Sequence, residues 1–428
     1  MNRPLLPLLA MLATGPALAG EPFEFADFTW VNGNDRRHSA PLQTPYFTGS
    51  LMLDANYTYS FAHPIDDTVV GSTALARNNE LQLSFVGLGG DFHYGHARAR
   101  VMLQLGTRAT VVPRNDGSQL RGQFELGNAY RYLAEANAGY HFDALNGINL
   151  DVGIFTSYVG LFSYYNAENW AYQPSFTSDN TPWFFTGVRA QIFPSDRLKV
   201  ELWLVNGFQT YGKFNDAPGV GLQLLWRPNG SVSVLSNEYV GTDTANRPGR
   251  IRAHTDDSLE VKYLEAPAAL VSRAAFSLTL DFGIEQGDGV TAFGGDGGPA
   301  QNFVSGMLYN RLWFGSERKF GWTVGGGFIH NPGRYLVLVP TGVAGQQWDA
   351  SPGTQFNGWD ASTTVDFMPD DYQTWRLEFV HRHSSVPYFA GRGGVTSPDG
   401  YITTSTAGFV PDLRTSEDRI ILALLFRL

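Results

Sequence analysis

The sequence predicts an all-β, membrane-spanning protein: an antiparallel up-and-down β-barrel of about 16 strands, with short turns at the periplasmic end and long loops at the extracellular end. Three observations predict it. From residue 46 to residue 428, strand-like segments are joined by connections that are alternately short and long. Within the segments, apolar and polar residues alternate with period two. Aromatic side chains collect at segment ends, as the two interfacial girdles of such a barrel require.

The short links fall at 93–96, 143–147, 194–197, 227–230, 265–271, 315–319 and 368–372. Longer ones lie near 62–79, 113–123, 158–182, 209–217, 241–257, 287–301, 330–355 and 384–417. The Asn-Gly pairs at 146–147 and 229–230 suit tight hairpin links, where positive φ is needed.

Successive strand side chains point to opposite faces. Over residues 47–61 one register holds Phe47, Gly49, Leu51, Leu53, Ala55, Tyr57, Tyr59 and Phe61; the other holds Thr48, Ser50, Met52, Asp54, Asn56, Thr58 and Ser60. Residues 97–111 are expected to form a strand with Arg98, Arg100 and Arg108 on one face and alanines, valines and leucines on the other. A slip of one residue there would turn all three arginines to lipid, at roughly 2–4 kcal/mol each near the midplane. Residues 198–206, 274–284, 375–379 and 420–428 alternate likewise, and the apolar register in these strands carries no charge. The pattern leaves the facing of individual residues open in 220–226, 232–239 and 303–314. Phe184, Trp226, Trp322, Trp359, Phe367 and Trp375 are among the aromatics expected at the rims.

A soluble all-β protein with one buried face is the alternative. Several runs reach ten residues or more, against about five or six in soluble strands, and suit a tilted membrane span. The last strand, 420–428, sets Ile420, Leu422, Leu424, Phe426 and Leu428 on one face. It has the form of the terminal strand that barrel-assembly machinery reads in outer-membrane proteins, although a terminal Phe is commoner than Leu428.

Three regions are expected. Residues 1–19 combine Arg3, a leucine-rich centre and Ala17-Leu18-Ala19, the pattern of a secretory signal. Residues 20–45 form a lead-in with Asp27, Trp30, Asn32, Arg36 and Arg37, long enough to sit in the lumen or across the periplasmic mouth, or to be an ordinary tail. Residues 46–428 form one barrel. No later run approaches the eighteen or so apolar residues of a membrane helix. The absence of cysteine excludes disulfides, thiolate metal sites and a lipid-modified terminal cysteine. The formal charge of −10 argues against nucleic acid as a partner. No cofactor is expected.

The most distinctive stretch is Asp151-Val-Gly-Ile-Phe-Thr156, Gly160, Asn169-Trp-Ala-Tyr172, Pro174, Ser175, Pro182, Thr186-Gly-Val-Arg189 and Val205-Asn-Gly-Phe208, with Phe25-Ala-Asp-Phe-Thr-Trp-Val-Asn-Gly-Asn34 before it. It resembles the Putative β-barrel porin family of Gram-negative outer membranes, over most of the chain. Many relatives carry an acid soon after the glycine at 160, where this chain has Leu161 and Phe162. The resemblance implies an outer-membrane, multi-pass barrel; it does not imply a substrate.

The expected function is a passive channel for small hydrophilic solutes, with outer-membrane lipid and lipopolysaccharide around it and a homo-oligomer as one assembly. Residues assigned inward are nearly balanced in charge, which suggests modest selectivity rather than a one-signed ladder. The candidate pore-lining and constriction residues are Arg98, Arg100, Arg108, Arg131, Glu135, Arg189, Glu168 and Asp179. Arg98, Arg100 and Arg108 would share the third strand and Arg131 the fourth, with Glu80 also inward. The aromatic-rich connection 158–182 is expected to fold into the bore and set Glu168 or Asp179 opposite that arginine wall, giving a transverse field. The plainer alternative pairs the arginines with neighbouring carboxylates such as Glu80 and Glu135.

Two other classes compete. A closed barrel could act as adhesin or receptor through 330–355 and 384–417. An outer-membrane hydrolase would need a His with Asp, Glu or Ser near the rim. His381 and His383 share a strand face there, but on the lipid-side register, so neither a catalytic nor a metal site is assigned. The glycine-rich 294–298 lacks the acidic spacing of a calcium loop.

Overall fold

The structure is a computed structural model that describes residues 22–338, 353–404 and 406–428. The expected signal segment, 1–19, and part of the 330–355 connection lie outside them.

The strands follow one another in chain order: β1 (Phe47–Ser60), β2 (Leu81–Tyr94), β3 (Ala97–Leu105), β4 (Leu133–Phe142), β5 (Ile148–Thr156) and β6 (Phe184–Ser195) come first. Next are β7 (Leu198–Val205), β8 (Gly219–Asn229), β9 (Val232–Gly241), β10 (Ile251–Glu265), β11 (Val271–Gln286) and β12 (Asn302–Phe314). Then come β13 (Phe320–Asn331), β14 (Phe356–Phe367) and β15 (Gln373–Ser384). In the last long connection β16 (Phe389–Ala390) and β17 (Leu413–Arg414) make a small separate ribbon, and β18 (Ser416–Arg427) ends the barrel. Sixteen strands form one closed sheet. Every neighbouring pair is antiparallel, and β1 closes on β18 from Met52↔Arg427 to Ser60↔Arg419. Closure leaves no unpaired edge in the hydrocarbon, where each orphaned backbone group costs several kcal/mol. Leu428 extends the seam by exchanging backbone hydrogen bonds with Leu51.

Facing follows the alternation. On β1, Met52, Asp54, Asn56, Thr58 and Ser60 are buried inside while Leu51 and Tyr57 are exposed on the outer wall. The open registers resolve with Val220, Leu224 and Trp226 outward on β8 and Val304 and Leu308 outward on β12. Tyr140, Phe142, Trp226, Trp322, Trp359, Phe367 and Trp375 are exposed on the outer surface. The outward register of β9 and β10 does carry acids: Glu238 and Asp257 share the Thr255 hydroxyl at 2.9 and 3.2 Å.

Four sequence expectations are corrected. The third strand stops at Leu105, because Gly106 takes φ +103 and turns the chain away from the sheet. Arg108–Val111 then form a short helix, α1, so Arg108 is buried in a connection rather than on a strand face. Arg131 is not on the fourth strand: it ends α2 (Leu126–Tyr130), where its guanidinium holds Asn128 Oδ1 at 2.5 Å, and β4 begins only at Leu133. Glu80 precedes β2 and pairs with Arg77 at 2.5 Å rather than with the arginine wall. Phe184 faces inward, stacked on Tyr211 with centroids 4.4 Å apart, instead of joining a girdle.

Leu103 is 45% exposed on the outer wall of β3. Leu103→Arg should destabilise the folded barrel by about 2–4 kcal/mol, depending on depth, whereas Leu103→Met should be near neutral. Unfolding of vesicle-embedded protein in urea measures both.

Candidate functional site

A sixteen-stranded barrel is wide enough to leave a water-filled bore. Several connections enter it, and two pieces of chain meet within it. The first is the connection 157–183, whose Leu161, Phe162, Tyr164, Tyr165, Trp170, Tyr172 and Phe176 are all buried. The second is residues 22–45, which cross the short-turn end.

The connection is held by inward-facing groups from strands all round the wall. Asp54 on β1 accepts from Tyr172 Oη at 2.8 Å and Asn166 Nδ2 at 2.7 Å. Glu378 on β15 accepts the Tyr172 and Gln173 amides at 2.6 and 2.8 Å. Asp360 on β14 takes Ser175 Oγ and the Phe176 amide, each at 2.9 Å. Glu135 on β4 takes Tyr165 Oη at 2.5 Å, and Gln104 on β3 takes Tyr164 Oη at 2.6 Å. Guanidinium groups answer the loop's carbonyls: Arg376 donates to Asn169 O at 2.7 Å, and Arg108 to Tyr164 O at 2.7 Å and Asn166 Oδ1 at 2.9 Å. A buried charge is tolerable only when paired and hydrogen-bonded, and the loop backbone supplies those partners.

Residues 22–45 dock differently, largely on the hairpin ends. Phe23 and Phe28 lie on the Arg227 guanidinium, with centroids 5.2 and 4.4 Å away. Asp27 pairs with Arg273 at 2.9 Å, and Trp30 Nε1 donates to Gly230 O at 3.2 Å. Arg36 donates to the Asp370 and Gln373 carbonyls at 2.9 and 2.5 Å. Midway, Asn32 enters the lumen: its amide donates to Glu260 Oε1 at 2.8 Å, and its Oδ1 accepts the Trp170 amide at 2.8 Å. Gly33 N donates to Glu168 O at 3.1 Å. Segment and loop therefore join into one partition.

The partition leaves a cavity on each side. One, of about 480 Å³, opens at the short-turn end between the partition and β11–β15. The other, of about 380 Å³, lies toward the walls of β3–β10. Val31, Asn34 and Glu168 line both.

Of the sequence candidates, Arg100, Glu135 and Glu168 line the smaller cavity. Arg100 pairs with Glu135 at 2.8 Å and Asp91 at 2.6 Å. Arg98 and Arg189 both engage Asp151, at 3.2 and 2.8 Å. Glu168 is bound by Arg427 and by the Ser163 hydroxyl. Asp179 pairs with the fully buried Arg382 at 3.0 Å and accepts the Thr73 amide at 2.9 Å, away from both cavities. Arg108 acts as a strut on the loop, and Arg131 stands apart in its own connection. Arg98, Arg100 and Arg189 are thus paired with neighbouring carboxylates, whereas Arg108 and Arg131 are held by neutral oxygens. Sequence reasoning missed the Asn32 junction and the Asp366 cluster described below; the polar-aromatic run around Trp30 was the available signal. His381 and His383 face outward, their Nδ1 atoms 2.7 Å from Asp418 Oδ1 and 2.8 Å from Ser416 Oγ.

The family described as Putative beta-barrel porin-2, OmpL-like, matches residues 46–410. No curated protein matches in sequence. Among solved structures, OprB of Pseudomonas putida at high pH is 11% identical, covers 90% of this chain and 94% of its own, and superposes with a TM-score of 0.52. Outer-membrane-expressed OmpT of Vibrio cholerae is 9% identical, with 90% and 99% covered and a TM-score of 0.50. At these identities the likeness is one of fold.

Two predictions follow from the unequal anchoring. Hydrogen bonds to a charged acceptor are worth about 1.5–3 kcal/mol, so Glu378→Ala should speed hydrogen exchange of the Tyr172 and Gln173 amides by about tenfold or more. Burial raises the Asp27 carboxyl, but hydrogen bonds from Thr29 and the Arg273 charge outweigh it and hold it at about 2, below its ordinary 3.8. The folded value is depressed, so the docking contribution is complete above the ordinary value and disappears as pH falls through about 2. A spin label at Glu24→Cys, unique because the chain lacks cysteine, should gain mobility between pH 3.8 and about 2.

Proposed function

The chain belongs to the family described as Putative beta-barrel porin-2, OmpL-like, channels of the Gram-negative outer membrane, and on that premise we propose that it passes small hydrophilic solutes passively and performs no chemistry. One observation carries the reading: a closed cylinder whose polar interior is divided, yet retains cavities of about 480 and 380 Å³ on either side of the partition. Short turns face the periplasm and long loops the outside in this reading. Outer-membrane lipid and lipopolysaccharide surround the barrel, residues 420–428 serve assembly, and a homo-oligomer is its assembled form.

The passage is narrow, with residues 157–183 fixing its shape and residues 22–45 its periplasmic access. Arg98, Arg100, Arg189, Glu135 and Glu168 set the local field, while Arg108 and Asp179 hold the loop that bears Glu168. Because Arg98, Arg100, Arg189, Glu135, Glu168 and Asp179 each have an oppositely charged partner, net selectivity is weak; a one-signed ladder would make it strong.

In planar bilayers, deletion of residues 22–45 should raise single-channel conductance about twofold or more, since pore current scales with open section. Unchanged conductance would remove the access role. Arg98→Gln with Arg100→Gln should move the reversal potential in a salt gradient toward cations. A barrel that carries no steady current at all, with or without 22–45, would instead be the closed receptor form acting through its long loops.

A further inference from the structure

We propose that the cavity of about 480 Å³ at the short-turn end is a binding site for a small organic carboxylate with a flat apolar body, its charged end between Arg36 and Arg311 and its body against Trp170 and Trp313. The inference deepens the channel reading by naming a solute class, but the binding itself does not require conduction.

Charge is the first argument. Arg376 holds Asp366 with two bonds, Nε–Oδ1 at 2.7 Å and Nη2–Oδ2 at 2.9 Å. Arg311 Nη1 stands on the same carboxylate at 2.8 Å. One buried carboxylate therefore answers two guanidiniums. Arg36 brings a third; its nearest carboxylate, Asp371, is 4.0 Å away and is itself 2.9 Å from His38 Nδ1. The Asp370 carboxylate accepts the Tyr372 and Gln373 amides. Burial is the first influence that lowers Arg36 below its ordinary value; Asp371 opposes the shift and the nearby positive Arg311 adds to it. A guest anion between the two would relieve that repulsion.

Unfilled donor capacity is the second argument. Arg311 is 4% exposed, and the acceptor its Nη2 meets is the Met368 sulfur at 3.6 Å. A thioether is a weak acceptor for a charged donor. A carboxylate is the strong one, and guanidinium forks match it in bidentate geometry.

Shape points the same way. Trp170 and Trp313 meet edge to face, 5.6 Å between centroids at 85°, and Arg311 lies 5.2 Å over the Trp313 ring. Indole faces and a thioether beside guanidiniums favour a planar apolar body over a bare inorganic anion. The volume lies within the range usual for small-molecule sites, about 300–1,000 Å³.

The test is a calorimetric titration of benzoate into the folded full-length barrel in micelles, with protein-free micelles as blank. Saturable binding is expected, with inorganic phosphate and benzyl alcohol each weaker by about tenfold or more. Arg36→Gln should weaken benzoate by a similar factor. Arg36 lies outside the barrel strands, so closure does not depend on it, and heat-modifiable mobility on gels confirms folding. Trp313→Ala should weaken benzoate while leaving phosphate unchanged. Failure of benzoate to saturate folded protein, equal binding of phosphate, or an Arg36→Gln variant that binds as well as the parent overturns the proposal. Bilayer recording separates the two readings: benzoate binding without any conductance leaves the site standing and removes the channel, and conductance without benzoate binding does the reverse.

Discussion

Closure of β1 on β18 is the constraint on which the rest depends. Nine consecutive pairs, Met52↔Arg427 through Ser60↔Arg419, join chain ends more than 350 residues apart. In hydrocarbon no water can replace a missing strand partner, so the sheet is either a cylinder or is not inserted. Once it is closed, period-two alternation leaves each strand residue only two destinations. Leu422 and Leu424 go to lipid, and Arg419 and Leu425 go inside. The interior therefore collects nearly every charge the strands carry.

That accumulation creates the second problem, because sixteen strands enclose charges of both signs in a confined space. Wall charges neutralise one another where they can, as Arg98 and Arg189 do through Asp151. Others require backbone partners. Asp54, Asp360 and Glu378 sit on three different strands and all accept from the 157–183 connection, while Arg108 and Arg376 donate to its carbonyls. The aromatic content of the loop and the ionic content of the wall thus have one cause. Tyrosines offer both a ring to fill volume and a hydroxyl to meet a carboxylate, as Tyr165 does with Glu135.

Those physical reasons also explain what was legible in the sequence. Strand phase is encoded within a few residues, so the facings of β1, β7 and β18 could be read directly. The end of β3 could not, because alternation runs on past Gly106 from Arg98 to Val111 although the backbone turns there. The aromatics of 158–182 announced a loop with something to bury. Its partners were out of reach: Arg108 and Asn166 are 58 positions apart, Glu378 and Tyr172 206, and Asn32 and Glu260 228. Arg131 and Glu80 were misplaced for a related reason, since their strands begin later than the polar pattern suggests.

The two halves of the partition are not equivalent. The 157–183 connection is tied through buried, charge-assisted bonds to strands that cannot shift without breaking the sheet. Residues 22–45 rest chiefly on hairpin ends, with contacts such as Asp27–Arg273 and Arg36–Asp371 whose acidic partners are 38% and 41% exposed. Exposed ion pairs contribute little and are screened by salt. Asn32 is the exception, with its amide on the buried Glu260 and its Oδ1 on the Trp170 amide. The charges around the two cavities are therefore held by a wall and a loop fixed through buried bonds, while residues 22–45 lean chiefly on weaker, partly exposed contacts.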